Sequence, residues 1–492
     1  MGQVVVSTEC PTCSGPLDFS EGTNALRCPS CGSTLLVTGR KQVLTYWVAP
    51  RIKADVAGAV ARTGRVRARV VRAELVFAPF YRLTGHEFQW QDIPPSPAPE
   101  RDAPAMLFGG GAAGADGPGI DLPLGAILSW GADALLGTRA GDVVGDVLGE
   151  PRTPPPPREP APIATLPPNR RSTPDATVQL LDRYVETSFP ATEDADLGIA
   201  SLGVRTQALR VSLFRRETLT ALGAIVRIRT DAATALGQGL ATRGFEHVVY
   251  RQVLGRILSI IYFPFWVVEL TEAPERWLTV VDAVAESVVR PRAPMALRDA
   301  LAPAPPGALP TVGLRPLVCP NCGWALPPEA DDVVFFCGSC QRAWQVDGID
   351  LTEMPYEIAE VGGPRTGDPV HLPFWRLDPA AGDSAWMPAF RCRRLKILHD
   401  LALRFTRKPP VYQAATGERP SARGCFYDAE DAALLARFTA AGRRRTPDAV
   451  QAAAADEPVF ARARLVWIPF ERRGRSLLDP YSGLALPEAL LD

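Results

Sequence analysis

Apolar residues gather along this chain in short bursts rich in β-branched and aromatic side chains, with a few helix-like stretches between them. Strands are expected at Val43–Ile52, Arg65–Val71, Glu74–Arg82, Leu209–Phe214, Ala224–Arg229 and Ile257–Leu270. Trp277–Ala283 and Glu286–Val289 read as a hairpin, and Leu465–Arg472 as a late strand. Helices are expected at Lys53–Arg62, Asp175–Glu186, Asp231–Arg243, Arg393–Phe405 and Asp428–Ala441. The last has acidic residues in its first turn and Arg443–Arg445 at its end, a polarity that suits the helix dipole.

Two stretches interrupt this pattern. Residues 93–174 are dominated by Pro, Ala and Gly, including Pro154–Pro157, and read as a largely disordered linker. Inside it, Leu122–Leu148 is a more apolar island, read as a sticky low-complexity loop. Gly109–Gly114 there formally matches G-x-G-x-x-G, but no helix follows, so no dinucleotide site is read. Residues 291–317 read as a second, Pro/Ala linker. The expected organisation is α+β and multidomain. It runs as a Cys-rich block (1–39), a small α/β module (40–92), the linker, a second module (175–290), the second linker, a second Cys-rich block (318–348), a third module (349–410) and a C-terminal module (411–492).

One phrase occurs four times: Ala78-Pro79-Phe80-Tyr81, Phe263-Pro264-Phe265-Trp266, Leu372-Pro373-Phe374-Trp375 and Ile468-Pro469-Phe470-Glu471. Proline lacks the ladder N–H, so each copy is expected on an edge strand or at a bulge. The favoured reading is an edge strand with a core Phe. The sharper one is an aromatic edge that accepts a partner strand through Phe80, Tyr81, Phe265, Trp266, Phe374, Trp375 and Phe470. The recurrence suggests four related units, two per Cys-rich block.

The cysteines change the picture most. Eight of the ten form two blocks with one spacing: Cys10-x-x-Cys13, fourteen residues, Cys28-x-x-Cys31, and Cys319-x-x-Cys322, fourteen residues, Cys337-x-x-Cys340. A C-x-x-C turn presents two thiolates, and two such turns joined by a hairpin converge on one tetrahedral ion. Structural disulfides would need an oxidising compartment, and a thioredoxin-like pair would need one C-x-x-C after a strand in a βαβ unit. Zn²⁺ is therefore expected at both blocks, ahead of iron or an iron–sulfur cluster. Four thiolates leave no open position, so the sites are structural, not catalytic. The blocks resemble the zinc-ribbon family of transcription and replication proteins over about thirty residues each. The resemblance implies only that the four cysteines of each block are metal ligands. More loosely, the whole is similar to bacterial zinc-ribbon proteins with repeated α/β modules, and no activity follows from that. The blocks also match at Leu17 and Leu326, Ser30 and Ser339, Val37 and Val346, and Gly39 and Gly348, which suggests duplication.

Charge is nearly balanced, 53 Lys and Arg against 54 Asp and Glu, so no overall pull toward nucleic acid or anionic membrane is expected. The first residues lack a basic region and a long apolar run, and Val6 stands where a myristoylation motif wants Ser or Thr. The longest apolar run, Ile257–Val268, is broken by Ser259 and Pro264; no transmembrane segment is expected, and the cytoplasm is the default. Peripheral membrane contact stays open.

The four histidines, His86, His247, His371 and His399, have no metal spacing, and the Walker A, H-E-x-x-H and G-x-S-x-G motifs are absent. Cys392 and Cys425 read as buried structural thiols. The run Arg391, Arg393, Arg394 and Lys396 reads as a solvated helix face before a phosphate site. The chain is thus expected to be a non-enzymatic adaptor that assembles with other proteins, with two structural zinc ions. The alternative is a nucleic-acid-binding accessory of replication or transcription; no small-molecule substrate is indicated.

Overall fold

The computed structural model describes residues 4–39, 42–93, 177–192, 197–203, 210–241, 248–301, 312–327, 332–360, 369–380, 382–415, 424–444, 446–455, 460–479, 481 and 483–491. Except for Ile93, the first linker lies outside the described residues. So do the Gly109–Gly114 motif, the island within that linker, and His247.

The first half starts with β1 (Val5–Glu9), β2 (Pro16–Ser20), β3 (Ala25–Arg27) and β4 (Thr34–Thr38) around the first cysteine block. Next come β5 (Leu44–Trp47), α1 (Ala54–Ala61), β6 (Arg69–Ile93), β7 (Thr177–Pro190), β8 (Arg210–Leu213), α2 (Arg216–Leu222), β9 (Ala224–Ile225) and α3 (Ala232–Ala241). The half closes with β10 (Val248–Glu272), β11 (Glu275–Asp282), β12 (Ser287–Ala293) and α4 (Leu297–Ala300). The second half has β13 (Gly313–Pro316), then β14 (Val334–Phe336), β15 (Ala343–Asp347) and β16 (Asp350–Met354) around the second block. It continues with β17 (Tyr356–Glu360), β18 (Val370–Pro379), β19 (Ala385–Pro388), α5 (Leu395–Arg407), β20 (Gln413–Ala415), α6 (Ala429–Ala441) and α7 (Pro447–Ala455). It ends with β21 (Phe460–Arg473), β22 (Ser476–Leu478) and β23 (Ala485–Pro487). The fold is α+β with mixed sheets.

Two antiparallel strand pairs are the spines. β6 pairs with β10 from Arg69↔Thr271 to Gln91↔Val248, and β18 pairs with β21 from Val370↔Phe470 to Pro379↔Phe460. The pairing crosses the boundaries expected between modules. Residues 40–92 and 175–290 share one sheet, and 349–410 and 411–492 share another. Strand periodicity shows which face is buried but not which distant strand lies alongside.

The two spines have one register. The residue before each phrase proline faces its counterpart, Ala78↔Phe263 and Leu372↔Ile468. Around the spines, β5 runs parallel to β10 and antiparallel to β8, as β17 does with β21 and β20.

The prolines are not on edge strands, contrary to expectation. Pro79 lies between Phe77, the last β6 residue paired with β9, and Phe80, the first paired with β7. Pro264 lies between Tyr262, paired with β5, and Phe265, paired with β11. Pro469 lies between Trp467, paired with β17, and Glu471, paired with β22. A proline has no N–H to lose, and it sits where one neighbour ends and the next begins. The carbonyls of Pro79, Pro264 and Pro373 still accept from the amides of Ala191, Ala283 and Ala389, at 2.9, 3.2 and 2.9 Å.

The aromatic residue of three phrases then ties a helix to its strand. Tyr81 donates its hydroxyl to Thr230 O (2.8 Å), Trp266 its indole N–H to Ile52 O (3.0 Å) and Trp375 to Tyr427 O (2.8 Å). Each acceptor precedes the residue that starts a helix: Asp231 for α3, Lys53 for α1 and Asp428 for α6. The amides of Arg229 and Thr230, of Arg51 and Ile52, and of Phe426 and Tyr427 converge on the carbonyls of Ala191, Ala283 and Ala389. Glu471 stands where the fourth aromatic would be.

The expected helix at Asp175–Glu186 is instead strand β7, as far as it is described. Thr177, Val178, Tyr184, Val185 and Thr187 are good strand formers, and β7 pairs with β6 along its whole length. Residues 291–317 also carry structure: the end of β12, α4 and β13. The far end of β6 packs on the second half, where Trp90 stacks on Phe438 and donates to its carbonyl. No helix among the described residues is long and apolar enough to cross a membrane.

Candidate metal centres

The four C-x-x-C turns share one backbone design. The residue after each second cysteine donates its amide to the first cysteine's carbonyl: Ser14 to Cys10 (2.8 Å), Gly32 to Cys28 (2.9 Å), Gly323 to Cys319 (2.8 Å) and Gln341 to Cys337 (2.9 Å). The first cysteine's amide in turn donates to Gly15, Ser33, Trp324 and Arg342, at 2.8–2.9 Å. The residue after each pair takes a left-handed φ: 57° at Ser14, 74° at Gly32, 74° at Gly323 and 57° at Gln341. Glycine accepts this freely; Ser14 and Gln341 hold it at a cost.

Within each block the four sulfurs converge, all within 4.8 Å of one another. Cys10–Cys31 and Cys13–Cys28 are 3.9 and 3.8 Å apart; Cys319–Cys340 and Cys322–Cys337 are 3.6 and 3.4 Å apart. Four thiolates about 2.3 Å from one Zn²⁺ would be separated by about 3.8 Å. Each set can therefore hold a metal ion, and all eight expected ligands are in place. In each block the first cysteine of each pair is buried and the second faces outward to a varying degree.

The local electrostatics favour thiolate at particular sulfurs. Ser33, through its side chain and then its amide, lowers the Cys31 thiol to about 6. Burial works against a Cys319 thiolate, but the amides of Cys322 and Asn321 outweigh it and bring the group to about 7. Burial and the sulfur of Cys322 push Cys337 up to about 12. At Cys13 the Gly15 amide favours the anion, yet the Cys31 sulfur prevails and the thiol rises to about 12. Four negative charges this close repel one another unless a dication lies among them.

The two blocks form a joint structure. Ala25 and Leu36 of the first share a core with Leu317, Leu326, Phe335, Trp344 and Val346, which also encloses Cys319 and Cys337. β13 adds a third strand to β4. The first block is anchored to the body by β1 alongside β8, and by Glu21, which pairs with Arg82. Arg82 is only 2% exposed and also holds Glu186 at 2.9 Å. The second block is anchored by aromatic packing of Phe336 on Tyr356 and Trp467.

The core Phe of the favoured reading is found, and the sharper reading, an aromatic edge, is not formed. Phe80, Tyr81, Phe265, Phe374, Trp375 and Phe470 are buried, and Trp266 is half-buried. Their strands have neighbours on both sides, and the rings fill the cores. His371 and His399 are buried core residues, and burial lowers His399. Cys392 and Cys425 are buried, each near a backbone carbonyl at 3.3 Å, and burial raises the Cys392 thiol. Arg391, Arg393 and Arg394 are exposed in the turn before α5, with Arg391 over the Phe426 ring.

Sequence reasoning missed Glu21–Arg82, because nothing in either segment marks a partner 61 residues away. It also missed Trp324, 66% exposed beside the second metal set. Its signal was there: Trp324 occupies the place that Gly15 holds in the first block. Comparisons with family models, curated proteins and solved structures find no match for this chain.

Proposed function

We propose that the chain is a non-enzymatic scaffold built on two structural zinc ribbons and mediating protein–protein assembly. The observation that carries this reading is the pair of closed four-cysteine sets, each seated in its own small core, with Ala25 and Leu36 of the first block packed into the core of the second. A closed thiolate set suits Zn²⁺ and leaves no position for a substrate or a reactive water. Zinc binding of about 10–16 kcal/mol would hold together blocks too small to build a core of their own. The common register of the two spines, with the recurrent hydrogen bonds of Pro79, Pro264 and Pro373, supports reading the body as a duplicated unit.

The test is affinity purification of the tagged full chain from its own cells, with and without nuclease, followed by mass spectrometry and metal analysis. Protein partners that survive nuclease, with two zinc ions per chain, support the scaffold. Partners that vanish with nuclease overturn it in favour of nucleic-acid binding, which would then show a steep salt dependence.

A further inference from the structure

The third strand of each ribbon comes from a different place. In the second, β15 turns tightly through Asp347–Asp350 into β16, so the strand is supplied by the residues that follow. In the first, the chain leaves after β4, and the third strand is β13, with Gly313↔Thr38 and Pro316↔Leu35. β13 leads directly into the first metal turn of the second ribbon, at Cys319.

The join is close. Leu317 donates its amide to Thr34 O at 2.9 Å, and the Thr34 hydroxyl donates back to Leu317 O at 3.3 Å. The Thr38 hydroxyl donates to Gly313 O at 3.2 Å. Thr34 is three residues from Cys31, and Leu317 is two from Cys319. Leu314 of β13 packs against the core that contains Cys10, Leu17, Cys28 and Leu35. Gly39 donates to Gly348 O at 3.2 Å, tying the far ends of β4 and β15 together.

We infer that the two metal sites form one cooperative binding unit, in which zinc at either site raises the affinity of the other by holding β13 between them. This rests on the reading of both sites as zinc sites. Emptying the second site frees the Cys319 turn, β13 loses its fixed end, and the first site loses its third strand and the Leu314 packing. By linkage the effect is reciprocal: emptying the first site weakens the second by the same factor. Couplings carried by packed elements are typically 5–150-fold, and about tenfold is expected here.

The experiment uses the full chain loaded with Zn²⁺ and titrated with a competing chelator, with bound zinc counted after desalting. Cys13→Ser and Cys322→Ser each disable one site at an exposed cysteine, leaving the buried sulfurs alone. In each variant the remaining zinc should leave at about one-tenth of the wild-type chelator concentration, by a similar factor in both. A remaining zinc that keeps the wild-type midpoint overturns the inference. Should a variant not fold, the wild type decides: coupled sites release both ions in one transition with a Hill coefficient above one, and a coefficient of one or less overturns the coupling. A wild type carrying fewer than two zinc ions fails the zinc reading instead, and so is told apart from uncoupled sites.

Discussion

The two four-cysteine blocks, read here as ribbons, have the same backbone turns, converging sulfurs and the same fourteen-residue spacer, yet they are finished differently. The second is self-sufficient in strands and rests on the body through Phe336, Tyr356 and Trp467. The first borrows β13 from the second half and is fixed by a buried ion pair, Glu21 with Arg82. Identical metal turns can therefore sit in structures with unlike dependencies. The turn sets the ion, and the strands around it set how the ion is coupled to everything else.

The largest effect expected from breaking this relation is at Leu36, which lies in β4 and in the core common to both ribbons. Leu36→Ala should cost about 2–5 kcal/mol, the range for truncating a buried leucine, and lower zinc retention at both sites. Urea denaturation with parallel zinc counting reads both; loss confined to the first site would separate the ribbons.

A second effect tests the joint between the halves. His86 of β6 lies near the Tyr427 hydroxyl at 3.3 Å and packs on the Tyr184 ring; Arg391 and Asp182 are the charges nearby. Burial, then Arg391, lowers its imidazole to about 4, with Asp182 opposing. The unfolded chain takes up that proton near pH 6.5 and the folded chain near 4. The stabilisation is therefore complete above about pH 6.5 and is lost as pH falls toward 4, at most about 3 kcal/mol in total. Unfolding midpoints across pH 4–7 should slope accordingly, and His86→Gln should flatten the slope.

Gly15 and Trp324 sharpen the contrast between the turns themselves. A Cβ at Gly15 would meet the Ser30 hydroxyl at 2.6 Å and the Cys13 sulfur at 3.3 Å. Gly15→Ala should cost about 1–3 kcal/mol by crowding the first site. Trp324→Ala, at the matching exposed position, should change stability by no more than about 0.5 kcal/mol. Thermal melts of the two variants make the comparison. A small effect of the opposite sign is expected at Gln341, whose left-handed φ of 57° costs an L-residue about 1–2 kcal/mol. Gln341→Gly gives back part of that in added chain entropy, for a net gain below about 1 kcal/mol in the same melts.

The metal sites were the most legible part of the sequence, because cysteine spacing is local and encodes its own geometry. Helices α1, α3, α5 and α6 were legible too; Asp428, for example, accepts from the Asp431 amide as an N-cap should. What escaped was non-local. β7 was misread because its identity comes from lying beside β6, and β13 was hidden in a Pro- and Ala-rich stretch. The phrase prolines were rightly noticed and wrongly placed. The edge rule asks for a missing neighbour, and a junction between two neighbours meets the same need inside a sheet.

The borrowed strand also has a consequence in time. Thr38 and Gly313 are 275 residues apart in the chain. At about 5–20 residues per second, a ribosome needs about 14–55 s to pass from one to the other. Throughout that interval the nascent first cysteine block has its four cysteines but lacks β13, the third strand of its sheet. On the proposed reading of the site, a metal ion that reaches the first cysteine set in that interval meets four ligands and a sheet still lacking β13.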